Sequence, residues 1–246
     1  MDDCSQDESI EVIEEFAKAS NRDIRLIPNA FNSGSPFLQW RKGIENSTAE
    51  LVWIAEADDV AEPQFLHQLA PLFEDPDLQF AFTDSSAIDD EGKQIWPNYK
   101  GYYLQAEAEG LTSDQLLSGP DFARKYLSER NLILNVSSVL WRRSALLAAL
   151  SDCGNELRQY RLAGDWALYL EACRRGKVAY RAIPQNRHRR GTEGVTSTLA
   201  LQTHVSEIER VHTRFNKIFG ETPSIRARQK KYLKSLTEKF TETAES

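Results

Sequence analysis

The sequence lacks the hallmarks of several protein classes. Its three cysteines, Cys4, Cys153 and Cys173, form no CxxC pair and have no histidine at metal-ligand spacing, which excludes a disulfide framework and a cysteine zinc site. The longest apolar runs, Leu51–Ala55 and Ala145–Leu150, are far below the roughly 18 residues that indicate a membrane span. No charged-then-apolar leader opens the chain. We therefore expect a soluble, cytoplasmic protein.

Positive charge is also scarce. Lys and Arg number 30 against 37 Asp and Glu, which gives a formal net charge of −7. Nucleic-acid-binding proteins hold the phosphate backbone largely with Lys and Arg, so this composition disfavours a nucleic-acid partner. The 246 residues, 41% of them hydrophobic, suffice for one sizeable domain with or without an appended tail.

Helical patterns alternate with short apolar runs in the first third of the chain. Leu51–Ala55 is a continuous apolar run, as expected for a strand buried on both faces of a parallel sheet. Such alternation predicts an α/β fold, a three-layer sandwich with a mostly parallel central sheet. The predicted elements here are helices starting at Asp7, Ser35 and Pro63 and strands at Ile24–Ile27, Leu51–Ala55 and Phe80–Phe82.

The pattern weakens between Ile88 and Ser118, which we interpret as loop, and then becomes regular again. From Ser197 onward it is helical. The elements predicted between these regions are helices at Pro120–Leu127, Arg143–Leu150 and Asp165–Arg175 and a strand at Val178–Ile183.

Three acidic residues follow the most apolar of the predicted strands. Glu56, Asp58 and Asp59 come where a buried strand would emerge at the carboxyl edge of the sheet. Carboxylates crowded there repel one another unless a divalent cation lies among them, and such a cation can neutralise a departing diphosphate. With 37 acidic residues in the chain, about five such triplets arise by chance. A solvated strand-to-helix loop is therefore the alternative interpretation.

Two further segments carry side chains suited to chemistry. Gly164-Asp165-Trp166 begins a predicted helix, so Asp165 is either an N-cap or an ionised carboxylate fixed in place as a general base. Asn186–Gly191 holds one histidine and three arginines ahead of the loop Thr192–Thr196. Such a cluster could clamp phosphate oxygens or form a polar edge strand.

Taken in order, these segments resemble the family 2 inverting glycosyltransferases with the GT-A fold. Asp2–Asp7 is similar to that family's "DDGSTD" segment, with Cys4 in place of the usual Gly, and Gly164 stands where the "EDWDLWLR" motif has a Glu. The likeness runs from Met1 to about Ser197. The other matching segments are Asn29–Ser35, Gln39–Ile44, Trp53–Asp59, Thr83-Asp84, Ile88–Lys93, Ser137–Arg143, Gly164–Leu170 and Asn186–Thr196.

The resemblance implies a role for each matching residue. Asp2 would contact the nucleobase or ribose of the donor, and Glu56 would lie beside its ribose or sugar. Asp58 would bind Mg²⁺ or Mn²⁺ on the diphosphate, and Asp165 would deprotonate the acceptor hydroxyl. The implied nucleotide-sugar-binding set is Asp2, Asp3, Asn32, Gly34, Glu56, Asp58, His188, Arg189 and Arg190, with Asp58 and Glu56 as metal ligands.

The implied activity is metal-dependent transfer of a sugar, with inversion, from a nucleotide-diphosphate donor to a hydroxyl of a saccharide or lipid-linked acceptor. The usual setting of this subgroup is the synthesis of bacterial surface polysaccharides. That setting implies a cytoplasmic protein, working at the inner face of the membrane.

The likeness begins inside a motif, since the family usually has a strand, a helix and a second strand ahead of it. We therefore expect an N-terminally truncated GT-A-like domain at residues 1–197, followed by a helical extension at residues 198–246. An inactive truncated transferase, acting as a nucleotide- or carbohydrate-binding or interaction module, is the main alternative. A metal-dependent nucleotidyltransferase is the second, but it would need a Gly- and Lys/Arg-rich phosphate loop near the start, and none is visible.

The helical extension carries a cluster of basic residues. It could contact a membrane surface or mediate self-association, although interleaved acidic residues favour a solvated face. The cluster consists of Arg226, Arg228, Lys230, Lys231 and Lys234.

Overall fold

The structure, a computed structural model, describes residues 1–191 and 201–244. At its centre lies a sheet of seven strands in the order β1-β6-β3-β7-β2, with β4 beside β3 and β5 beside β7. The strands of this described part are β1 (Leu51–Trp53), β2 (Val60–Ala61), β3 (Leu78–Ile88), β4 (Gln94–Trp96), β5 (Gln115–Ser118), β6 (Val139–Arg142) and β7 (Lys177–Arg189).

Helices pack on both faces of this sheet. Several begin where the sequence predicted, and α2 has its proline in the first turn as expected. The helices are α1 (Ser9–Ser20), α2 (Pro36–Glu45), α3 (Phe65–Leu69), α4 (Lys100–Gln105), α5 (Gly119–Tyr126), α6 (Arg143–Cys153), α7 (Gly164–Cys173), α8 (Leu201–Phe219) and α9 (Pro223–Ala244).

The predicted α/β class is confirmed, but the sheet is mixed rather than mostly parallel. β3 and β7 pair in parallel, whereas the other described strand pairs are antiparallel. β6 lies between β1 and β3 and runs antiparallel to both. A strand covered on both faces is apolar whichever way it runs, so hydrophobicity alone does not report direction. β1 is also shorter than predicted and lies at the edge of the described sheet.

The prediction of a strand at Ile24–Ile27 is wrong. Its pairing in the described part of the chain is a single bridge between Asp2 and Pro28, made by the bonds from Asp2 N to Ile27 O (3.1 Å) and from Asn29 N to Asp2 O (2.9 Å). A strand needs such bonds over several residues, and the described neighbours supply them at this one position. The apolar face predicted for α1 forms but is not buried by the described residues, and Phe16 is 59% exposed.

The interpretation of Ile88–Ser118 as loop is also wrong, because β4, α4 and β5 lie there. Tyr99, Tyr103 and Leu111 from this region are buried in the main core. A few buried, mainly aromatic side chains pack these short elements against the sheet. Because these side chains are widely spaced in the sequence, they produce no helical or strand periodicity.

The C-terminal helices pack into the same core as the sheet. Ile208, Val211 and Phe215 of α8 belong to the hydrophobic cluster that contains Phe80 of β3. The predicted boundary at Ser197 lies outside the described residues, so the division into 1–197 and 198–246 stays a prediction. None of the described helices has both the length and the apolar character needed to cross a bilayer.

Part of the basic cluster of α9 is engaged within the chain. Arg226 Nε donates to Glu221 Oε1 (2.7 Å), and Arg228 Nη2 donates to Ser128 Oγ (3.1 Å). A third cation, Lys234, lies with its Nζ 3.6 Å from Glu238 Oε1. Three of the five cations are thus paired, and the predicted membrane contact or self-association stays a prediction.

Candidate functional site

The acidic loop after β1 is anchored by the residues that lead into β6. Trp53 Nε1 donates to Ser137 O (2.8 Å), and Glu56 N donates to Ser137 Oγ (3.0 Å). Ser137 lies in the short turn Val136–Ser138 that leads into β6, the strand that pairs with β1, so this turn holds the start of the loop.

Arg189, at the end of β7, holds the other end of this loop. Its N–H donates to Asp59 Oδ1 (2.9 Å) and its Nε to Asp58 O (2.8 Å). Its Nη1 donates to Asp89 O (2.6 Å) and Asp90 O (2.9 Å). In this arrangement the guanidinium ties two loops together through backbone carbonyls. The predicted contact of Arg189 with the diphosphate remains a prediction.

Asp165 lies in the first turn of α7, as predicted, but it is not the N-cap. The capping position is Ala163, and Asp165 is directed to Asn131, whose Nδ2 donates to Asp165 Oδ2 (2.9 Å). The side chain is half-buried. Burial raises the pKa of Asp165 to about 7, although hydrogen bonds from Trp166 and Asn131 act in the opposite direction. A carboxyl group with a pKa near neutrality can exchange protons at physiological pH.

The fold brings Asp165 to the acidic loop. Burial raises the pKa of Glu56 to about 7, and the charges of Asp58, Asp59 and Asp165 raise it further in that order. Tyr169, one helical turn after Asp165, is buried, and the charges of both Asp165 and Glu56 help to raise its pKa. The charge of Asp165 therefore acts on Glu56, although the two residues come from distant segments of the sequence.

These raised pKa values predict that stability decreases with pH. A carboxyl group whose pKa is higher in the folded state contributes stability that is complete below its unfolded pKa and lost as pH rises through the folded value. For Glu56 and Asp165 that value is about 7. Burial lowers the pKa of His188, His204 and His212, which favours folding at higher pH, but that gain is complete above about pH 6.5, the ordinary histidine pKa.

We therefore expect the melting temperature, measured without divalent cations, to fall between about pH 6.5 and about pH 8. Asp165→Asn should flatten this slope, because the amide does not ionise. A wild-type melting temperature that rises across this interval, or a slope unchanged in the variant, would contradict the prediction.

His188 and Arg190 flank the same loop. The Tyr99 hydroxyl and His188 Nδ1 share a hydrogen bond of 2.8 Å. Burial, and then the Arg190 charge, lower the pKa of His188 to about 4, whereas Asp58 acts to raise it. His188 is therefore neutral at physiological pH and lies near Asp58. The Arg190 guanidinium lies 5.6 Å from the centre of the Trp96 ring.

Asp2 accepts hydrogen bonds within its own turn, whereas Asp3 binds the segment Asn29–Ser33. Asp2 Oδ2 accepts from the N–H groups of Cys4 (3.0 Å) and Ser5 (3.1 Å), and the Ser5 hydroxyl holds the pKa of Asp2 below its ordinary value. Asp3 Oδ1 accepts from Asn29 Nδ2 (2.7 Å) and Ser33 N (2.8 Å). Their predicted contacts with the nucleoside stay predictions.

The turn at Asn32 and Gly34 reaches the segment that precedes Asp165. Gly34 N donates to Asn32 Oδ1 (2.7 Å), and Gly34 has a φ of +65°, which glycine adopts without strain. Arg161 Nη1 donates to Gly34 O. The structure thus links this predicted turn to the start of α7.

The carboxylates fit a divalent cation shared with phosphates rather than a cation held by the protein alone. In the part of the chain that the structure describes, no three His, Cys, Asp or Glu side chains are arranged to hold a metal ion. Mg²⁺ is usually bound by one or two carboxylates together with substrate phosphates and water. The exposed Asp58, beside the partly buried Glu56 with its raised pKa, is compatible with that kind of site.

Sequence reasoning missed Asn135, which joins two segments that it had singled out, Ser137–Arg143 and Asn186–Thr196, beneath the acidic loop. Asn135 Nδ2 donates to Asn186 Oδ1 (2.7 Å), Asn186 Nδ2 donates to Ser137 O (3.2 Å), and Ser137 N donates to Asn135 Oδ1 (2.8 Å). All three residues are buried. The available signal was a polar Asn within the apolar run Leu132–Val136, since a buried polar side chain is informative.

Gly164 is required by packing rather than by chemistry. A Cβ at this position would lie 2.6 Å from Cε2 of Phe37, a buried residue of α2. The Glu that the family motif has here would therefore displace α2 from α7. The Glu of the family motif and the packing of α2 on α7 in this chain are therefore incompatible.

We expect Gly164→Ala to lower the free energy of unfolding by about 1–3 kcal/mol, because the added methyl group overpacks the contact with Phe37. Gly101→Ala is the matched control, since its Cβ would meet no atom within 4 Å. Chemical denaturation of both variants measures the difference. Equal stability of the two variants would show that α2 and α7 separate freely.

The profile of the family described as Glycosyl transferase family 2 matches residues 1–144. No curated protein matches the chain in sequence. Among solved structures, the crystal structure of S. aureus TarS 1-349 in complex with UDP-GlcNAc matches with a TM-score of 0.61 and 13% identity, covering 94% of this chain and 61% of that one. The corresponding complex with UDP gives a TM-score of 0.60 and 13% identity, covering 94% and 60%.

These structural matches show a shared fold, at an identity too low to transfer activity. The chain spans about three fifths of the length of those structures, with 60% and 61% covered. The family match, by contrast, covers more than half of this chain and includes Glu56 and Asp58. The chain belongs to glycosyl transferase family 2.

Proposed function

We propose that this protein is a metal-dependent inverting glycosyltransferase. It transfers a sugar from a nucleotide-diphosphate donor to a hydroxyl group of a saccharide or lipid-linked acceptor. The observation that carries the proposal is that the charge of Asp165 acts on Glu56 of the acidic loop in a family 2 chain, where burial raises the pKa of both Glu56 and Asp165 to about 7.

Asp165 acts as the general base. It accepts the proton of the acceptor hydroxyl while that oxygen bonds to the anomeric carbon, and the bond from that carbon to the diphosphate oxygen breaks. The nucleoside diphosphate leaves with the electron pair. Attack from the face opposite the leaving group inverts the anomeric configuration, as in single-displacement glycosidases. Asn131, which donates to Asp165 Oδ2, would orient the carboxylate.

Asp58 and Glu56 would hold the cation, Mg²⁺ or Mn²⁺. When bound, it supplies charge neutralisation to the departing diphosphate. Neutral His188, beside Asp58, and Arg190 would line the same donor pocket. Asp2, Asp3 and the turn at Asn32 and Gly34 would contact the nucleoside, after rearrangement of their present hydrogen bonds.

UDP sugars are the first donors to test, since the TarS structures contain UDP or UDP-GlcNAc. The acceptor is proposed as a growing surface polysaccharide or its lipid-linked precursor. This places the protein in the cytoplasm, at the inner face of the membrane. The basic cluster of α9 would provide the peripheral contact with anionic lipid, or with a second copy.

The proposal is tested by incubating the chain and candidate saccharide acceptors with UDP, GDP and dTDP sugars, with Mg²⁺ or Mn²⁺ and with EDTA. We expect cation-dependent release of one nucleoside diphosphate, and NMR of the product should show an inverted anomeric centre. Release that is unaffected by EDTA would exclude the metal, and a retained configuration would exclude single displacement. No release from any donor would exclude the activity of this chain.

A non-catalytic nucleotide- or carbohydrate-binding module is the second candidate. One observation favours it: the carboxylates of Asp2 and Asp3 and the guanidinium of Arg189 are all engaged in hydrogen bonds within the chain. Nucleotide binding without turnover would support this candidate over the enzyme.

A further inference from the structure

A buried carboxylate on α8 binds the segment that leads into α7. Glu207 is 1% exposed. Its Oε1 accepts from Arg161 N (2.7 Å), and its Oε2 accepts from Leu162 N and Ala163 N (2.9 Å each). Three consecutive backbone N–H groups therefore converge on one side chain, which lies about forty residues further along the chain.

This arrangement satisfies both partners. A buried carboxylate is costly unless it is hydrogen-bonded, and charge-assisted bonds to N–H groups are among the stronger ones in proteins. The N-terminus of α7 adds a favourable dipole for the negative charge. In turn, the three backbone N–H groups that precede α7 gain an acceptor at a fixed position. The position of Ala163, two residues before Asp165, thus depends on a side chain of α8.

The second segment that contacts Asp165 is also held by the C-terminal helices. His212 Nε2 and Glu129 O share a bond of 2.7 Å, and Gln229 Nε2 donates to Ser128 O (2.9 Å). Asn131, which donates to Asp165, lies two residues after Glu129 in the same segment. Both supports of Asp165, its own helix start and its amide partner, are therefore fixed from α8 and α9.

We propose that Glu207 is a positioning residue for Asp165, and that α8 and α9 belong to the catalytic unit rather than to an independent extension. This inference rests on the proposed function of Asp165 as the base. A general base contributes fully when it is held within a few tenths of an ångström of its working position, and a displacement of about 1 Å can cost about a hundredfold in rate.

The test is Glu207→Gln in the full chain. The amide keeps the size of the side chain but replaces one acceptor by a donor, so at least one of the three N–H groups loses its partner. We expect kcat to fall by about tenfold or more, with the KM for the donor and the affinity for UDP within about twofold of wild type. Glu207→Asp, which keeps the charge, should recover part of kcat.

Glu209→Gln is the matched control, because it makes the same change at an exposed position of the same helix. It should leave kcat unchanged. A wild-type kcat in Glu207→Gln, or an equal loss in Glu209→Gln, would overturn the inference. If Glu207→Gln does not fold, kcat is measured for Glu207→Asp alone. A wild-type kcat in Glu207→Asp would then overturn the inference.

Amide hydrogen exchange separates this inference from the proposed function. Glu207→Gln should speed exchange at residues 161–165 while the strands of the sheet keep wild-type protection. Unchanged exchange there would overturn the positioning role, whatever the activity. If exchange in Glu207→Gln is faster at these residues alone, but the wild-type protein turns over no donor, the result would support the positioning role and overturn only the proposed reaction.

Discussion

Asp165→Asn is expected to lower kcat by about 10²–10⁴-fold, the range that a positioned general base contributes. The asparagine has nearly the same shape and can still bond to Asn131, but it does not accept the proton of the acceptor hydroxyl. Steady-state release of the nucleoside diphosphate measures kcat, and calorimetry with UDP measures donor-site affinity. That affinity should stay within about twofold of wild type, because the change affects the transition state rather than nucleotide binding.

Two controls separate this loss from unfolding. Asp121→Asn makes the same substitution in the first turn of another helix, α5, and should leave kcat unchanged. Asp165→Asn itself should be at least as stable as wild type near pH 8, since it removes a carboxyl group whose pKa is raised by burial. A variant that retains near-normal turnover would exclude Asp165 from the mechanism.

Asp58→Asn is expected to abolish the cation-dependent part of nucleotide binding. Loss of a residue that merely orients a metal ligand costs about 10–100-fold in metal affinity, so loss of a direct ligand should weaken cation-dependent UDP binding at least as much. The measurement is calorimetry with UDP in Mn²⁺ and in EDTA, for wild type and variant. Asp77→Asn, at an exposed aspartate before β3, is the control.

The four measurements form a thermodynamic cycle. If Asp58 binds the cation, EDTA should weaken UDP binding in the wild type and in Asp77→Asn but have little further effect in Asp58→Asn. An EDTA effect as large in Asp58→Asn as in the wild type would place the cation elsewhere. UDP binding that is insensitive to EDTA in every variant would refute a metal on the diphosphate.

Much of the fold could be read from local signals. The helix at Pro36 was predicted from a proline after a serine, and the helix at Gly164 from its apolar periodicity. At Asn186–Gly191 the sequence left a polar edge strand open as an alternative, and β7 does extend through Asn186–Arg189, but between β3 and β2 rather than at the edge of the described sheet. Pairing with β3 continues along these polar residues, so the partner strand, rather than their own β-propensity, keeps them extended.

For the site, the sequence identified residue types better than relations between them. Glu56, Asp58 and Asp165 were selected from their places behind a strand and at a helix start. The burial that raises the pKa of both Glu56 and Asp165 to about 7, and the further effect of the Asp58 and Asp165 charges on Glu56, appear only once β1 and α7 are brought together. Arg189 shows the converse, since its charge suggested phosphate binding and its geometry shows carbonyls as its present partners.

The sequence by itself determines family membership, the α/β class and the identity of the side chains suited to chemistry. These features can be read from motifs, helix caps and periodicity, which depend on residues a few positions apart. Only the tertiary structure decides three other features. These are the strand directions, the hydrogen bond from Asn131 to Asp165, and the hydrogen bonds from the backbone of Arg161–Ala163 to Glu207. Each joins segments more than thirty residues apart, and burial and hydrogen bonding at such separations depend on how the whole core packs.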